Sequence, residues 1–84
     1  MAQVTVKLYA SLGDYLPANA KEHATSLDLG EDATLMEALE LLKVPQQQCH
    51  LVLLNGIFVP PSKRDSAAIN DGDTISVWPP VAGG

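Results

Sequence analysis

The chain is poor in the residues that most often announce a function. One cysteine among 84 residues cannot close an internal disulfide, which makes a reducing compartment the expectation. Lysine and arginine together number 5 against 10 aspartates and glutamates, a formal net charge of −5. That balance argues against a nucleic-acid or anionic-membrane surface, both of which call for basic faces, and suits a basic or mixed protein partner. No apolar run approaches the ~20 residues of a membrane-spanning helix. Met1-Ala2-Gln3-Val4 opens without the charged and then apolar pattern of a secretory leader, so a cytoplasmic location is expected. No nucleophile–base pair, phosphate-binding loop or metal-ligand cluster stands at motif spacing. The expectation is a protein that is not an enzyme by itself and binds no metal or cofactor.

What is present fits one small α+β domain spanning 1–84. Val4, Val6 and Leu8 alternate with Gln3, Thr5, Lys7 and Tyr9, the pattern of a strand with one buried face. Leu12, Tyr15 and Leu16 ahead of Pro17 predict a short helical turn. A second strand follows over Ala24 to Leu29, and the short connection makes the pair antiparallel. Thr34 and Glu37 form a capping box for a helix carrying Leu35, Ala38, Leu39 and Leu42 on one face, with Pro45 bounding it at about Lys43 or Val44. His50 to Leu54 and Ile57 to Val59 flank Asn55-Gly56, a tight-turn signal. Asn70 to Asp73 is a turn before the last strand, Thr74 to Trp78. One helix on a chain this small covers one face of a single sheet. If Val4, Val6, Leu8, Ile75 and Val77 face the helix, Tyr9 and Trp78 fall on the uncovered face, where the core does not need them.

Single residues invite other readings. Cys49 enters an apolar strand with no partner at motif spacing and reads as an inert or partly buried thiol. His23 and His50 lack ligand spacing, and Asp71 and Asp73 read as turn formers. Lys63-Arg64 reads as a solvated basic pair on a loop, and Glu37 and Glu40 as the wet side of the helix.

The sequence closes on Trp78-Pro79-Pro80-Val81-Ala82-Gly83-Gly84. Two prolines end a sheet and push the chain outward, giving an expected extended tail over 79–84. The four residues after them reach roughly 13 Å when extended. Glycine has no side chain to obstruct a narrow slot.

Three stretches, Val6-Lys7-Leu8-Tyr9-Ala10-Ser11-Leu12, Asp71-Gly72-Asp73 and the ending from Trp78, resemble the MoaD/ThiS family of sulfur carriers. The Pro-Pro-Val-Ala-Gly-Gly ending is closer to the MoaD branch, in which Phe is commoner where Trp78 stands. The resemblance implies a ubiquitin-like β-grasp fold, a mixed sheet with one main helix packed across one face. It implies that an E1-like, MoeB-like enzyme uses ATP and magnesium to adenylate Gly84, which then becomes a thiocarboxylate. The sulfur would pass to a pterin precursor in a MoaE-like large subunit of molybdopterin synthase. Tyr9, Phe58, Trp78, Pro79, Pro80, Val81, Ala82 and Gly83 would contact these partners. The alternatives are a carrier for thiamine thiazole or another sulfur route, a ubiquitin-like modifier joined to lysines through Gly84, and a plain interaction module.

Overall fold

The computed structural model describes residues 2–18, 20 and 22–80. Five strands, β1 (Ala2–Leu8), β2 (Ala24–Leu29), β3 (Leu51–Leu54), β4 (Ile57–Phe58) and β5 (Thr74–Trp78), form one sheet in the order β2-β1-β5-β3-β4. β1 and β2 are antiparallel, as are β5–β3 and β3–β4, while β1 and β5 run parallel through the centre. The sheet is therefore mixed, with a single α-helix among the described residues, α1 (Leu35–Leu41), and the arrangement is that of a β-grasp. The short turn predicted before Pro17 is a 3-10 helix over Ala10–Tyr15, pinned by fully buried Leu12.

Alternation along β1 and β5 sends Val4, Val6, Leu8, Ile75 and Val77 to the helix side, where each is essentially inaccessible. Leu35, Ala38 and Leu39 of α1 meet them, and Val52, Ile69 and Leu12 complete the core. The start of α1 is satisfied as its sequence predicts. Thr34 Oγ1 accepts the Glu37 N–H at 3.3 Å, and its hydroxyl lies 3.4 Å from Glu37 Oε1. The two preceding N–H groups donate to loop carbonyls, Leu35 to Ala67 at 2.9 Å and Met36 to Arg64 at 3.0 Å.

The helix ends earlier than Pro45 would dictate. Lys43 takes a left-handed backbone (φ 60), its N–H donates to the Glu40 carbonyl and the Val44 N–H to the Leu39 carbonyl. That is a Schellman cap, which turns Val44 back into the core and stops the helix at Leu41.

The basic pair is also corrected. Lys63 is exposed, but Arg64 is the most deeply buried charged residue described, at 1% exposure. Its Nη1 donates to the Cys49 carbonyl at 2.8 Å and its Nε to the Val59 carbonyl at 3.2 Å. Nη2 is buried without a partner among the described residues. Cys49 and Val59 lie just outside the two ends of the β3–β4 hairpin, so the guanidinium fork ties the ends together. Burial holds its pKa below the usual arginine range, partly opposed by nearby Cys49.

Candidate functional site

The face that α1 leaves open is set by strand register. One row across the sheet runs Ala24, Lys7, Ser76, Leu53 and Phe58. The next row toward the C-terminal end of β5 holds Trp78 opposite Leu51. Tyr9 follows β1 immediately, and its N–H still donates to the Val77 carbonyl at 3.1 Å, which keeps its ring beside β5. The rings of Tyr9 and Trp78 stack nearly parallel, centroids 4.5 Å apart and planes 4° apart. His23 stacks on the Tyr9 ring at 5.9 Å and 25°. It is reached through a tight return in which Glu22 (φ 54) and His23 (φ 65) are both left-handed, and its carbonyl accepts the Leu8 N–H at 2.8 Å.

The aromatic pair thus lies where strand parity placed it. Each ring shields one side of the other, so both are half-buried rather than fully presented. Phe58 shares the face but not the stack. It sits two strands from β5, roughly 10 Å at ordinary strand spacing, and is 53% exposed. Leu51 and Leu53 fill the interval and make the face continuous from Trp78 to Phe58. Sequence reasoning weighed His23 only as a metal ligand and placed neither it nor these leucines on this face. The run Leu51-Val52-Leu53-Leu54 is apolar without alternation, so its parity appears only when β3 is registered against β5. Pro79 is half-buried, Pro80 is exposed, and β5 stops before them. Val81, Ala82, Gly83 and Gly84 lie outside the described residues.

Cys49 is buried, and its Sγ lies 3.5 Å from the Pro45 carbonyl. Desolvation raises its pKa above the ordinary thiol range, with Arg64 pulling the other way. A raised thiol pKa makes stability greatest below the unfolded thiol's pKa and lets it fall as pH rises through the folded one. Cys49→Ala is expected to leave sulfur loading near normal while flattening this alkaline loss, which unfolding curves across the alkaline range would follow. Sulfur uptake that vanished with the thiol would move the acceptor to Cys49.

Among the described residues no group of three or more His, Cys, Asp or Glu side chains is placed to hold a metal ion. Among the same residues no helix is long and apolar enough to cross a membrane. A shallow pocket of about 250 Å³ is lined by Ala2, Glu31, Ile69, Asn70 and Asp71. Ala2 begins the strand that Tyr9 follows, so this pocket opens at the opposite end of β1 from the aromatic face.

Fold and surface together define a ubiquitin-like β-grasp domain with an apolar face at the end of its last strand. The ThiS family model matches residues 15–84, and the chain belongs to that family. Comparison with curated proteins gives no match. Among solved structures, small archaeal modifier protein 1 from Methanosarcina acetivorans is 26% identical with a TM-score of 0.67, over 100% of this chain and 98% of that one. The complex of subunits 1 and 2 of molybdopterin-converting factor from Helicobacter pylori contains a chain 25% identical, TM-score 0.60, with 98% and 99% covered. Putative molybdopterin-converting factor subunit 1 from Pyrococcus furiosus is 22% identical, TM-score 0.71, with 96% and 100% covered, a likeness of fold. The protein is a small ubiquitin-like sulfur carrier of the MoaD/ThiS type.

Proposed function

We propose that this carrier serves molybdopterin formation as the small subunit of a molybdopterin synthase-like complex, with Gly84 bearing the sulfur. The observation that carries the reading is the stacked pair Tyr9 and Trp78, on the open face of the sheet and immediately before Pro79 and the diglycine ending. A carboxylate resists nucleophiles because of its charge and resonance. An E1-like, MoeB-like partner supplied with ATP and magnesium would join the Gly84 carboxylate to AMP and release pyrophosphate. Sulfide, as HS− released by a sulfur source, then attacks the acyl carbon. The new C–S bond replaces the bond to AMP, which leaves with its electron pair, and loss of the S–H proton gives the thiocarboxylate with no change of oxidation state. The Helicobacter complex of subunits 1 and 2 supports a MoaE-like large subunit as the acceptor partner. This chain contributes the terminal carboxylate and the docking face; the chemistry is done by partner residues.

Incubation with an E1-like enzyme, ATP, magnesium and a sulfur source is expected to add about 16 Da, sulfur for oxygen, at Gly84. Label found at Cys49 would overturn the terminal-carrier reading. A second reading draws on the likeness to small archaeal modifier protein 1. In it Gly84 forms isopeptides with lysines, and a ladder of conjugates in lysate, abolished with the diglycine, would favour it. A thiazole-route carrier would load identically at Gly84 but would not deliver sulfur to a pterin precursor on a MoaE-like subunit.

A further inference from the structure

The β3–β4 turn is fastened by a single carboxamide. Asn55 and Gly56 both have left-handed backbones (φ 52 and 85), as a two-residue type I′ turn requires. The Asn55 N–H donates to the Thr74 carbonyl at 2.8 Å, and its Oδ1 accepts the Thr74 N–H at 2.8 Å. Its Nδ2 donates to Asp73 Oδ1 at 2.9 Å, while Asp73 Oδ2 accepts the Asn70 N–H at 2.8 Å. The carboxamide therefore accepts on one side and donates on the other, joining the hairpin tip to the start of β5. A carboxylate in its place could still accept from Thr74 but would set a second negative oxygen against Asp73.

The β3 arm is laddered to β5 as far as Leu54 opposite Ile75, but the turn and the β4 arm have little else at that end. β4 is two residues long, with Ile57 71% and Phe58 53% exposed, so neither ladder length nor burial secures it. At the other end Arg64 clamps Cys49 and Val59.

We propose that Asn55 is a latent modification site, a deamidation position kept unreactive by its bonds to Thr74 and Asp73, whose conversion to aspartate releases the tip of the β3–β4 hairpin. The deprotonated Gly56 backbone nitrogen attacks Asn55 Cγ, a C–N bond closes a succinimide, and the side-chain nitrogen leaves as ammonia. Water then opens the ring to an aspartyl or isoaspartyl residue, with no change of oxidation state. Gly56 suits the attack because it lacks a Cβ and stands in open space. In the folded chain the carboxamide is held toward β5, so reaction goes through local opening of the latch. The segment released carries Phe58 of the open face.

Two measurements test this on the intact protein. Intact mass and peptide mapping during incubation at mildly alkaline pH follow a gain of about 1 Da, O for NH, at Asn55. The folded chain is expected to convert at least about ten-fold more slowly than a peptide spanning Leu53 to Phe58, and Asp73→Ala to erase most of that protection. Equal rates in folded chain and peptide would overturn the proposal. Asn55→Asp stands for the converted chain. Hydrogen exchange is expected to quicken by about ten-fold or more over residues 55–58 with the Val6 amide unchanged. Adding Asp73→Asn returns a donor to the opposite side of the pair and is expected to restore slow exchange. Exchange that stays slow in Asn55→Asp, or is not restored in the double variant, would show that the carboxamide is not the fastening.

Discussion

Deleting Gly84, or adding one residue after it, is expected to abolish both adenylation and sulfur uptake while leaving the domain folded. The chemistry proposed needs a free carboxylate on a residue slim enough to enter a partner's slot, and either change removes that group or moves it. Stability should be almost unaffected. The buried core of the described residues ends at Val77, and the last strand ends at Trp78. A change of less than ~0.5 kcal/mol is expected, as for surface positions generally. Urea unfolding beside a mass-based loading assay separates the two properties. Full loading of the shortened chain would place the acceptor elsewhere, and a large stability loss would mean that the ending packs on the domain.

Trp78→Ala and Tyr9→Ala are expected to weaken binding to the E1-like enzyme and to the MoaE-like subunit by roughly thirty-fold, about 2 kcal/mol for a truncated aromatic anchor. The stack adds a second consequence. Removing either ring uncovers the other and forfeits about 0.5–1.5 kcal/mol of aromatic pairing, so a modest fall in melting temperature should accompany the binding loss. Phe58→Ala provides the control, because Phe58 stands apart from the stack and is half exposed. Its binding should fall with little change in the melt. Binding by the folded ring variants at wild-type strength would make the stack a structural prop and move docking to another surface.

The open face was partly legible from residue order. Alternation in β1 and β5 assigned Tyr9 and Trp78 to the uncovered side because strand parity is local and exact to one residue. The same logic failed for Leu51 and Leu53, whose apolar run carries no alternation to read. It also left His23 in a featureless polar loop, since the return that lays its ring on Tyr9 depends on two left-handed residues that no periodicity marks. Arg64 shows the limit most sharply. Beside Lys63 on a loop it has every local sign of a solvated charge, yet its guanidinium is the buried brace between Cys49 and Val59. Only the spatial convergence of the Cys49 and Val59 carbonyls on the guanidinium makes that burial tolerable.

Sequence alone determined the strands with alternating faces, the Thr34–Glu37 helix start, the Asn55-Gly56 turn and the proline stop after Trp78. Each follows from backbone and side-chain chemistry acting within a few residues. Tertiary structure decided that β5 enters between β1 and β3, parallel to one and antiparallel to the other, and that Val44 ends the helix by turning into the core. It also decided which leucines join the open face. These outcomes depend on burying apolar surface contributed by segments far apart in the chain, and that free energy exists only once the segments have met.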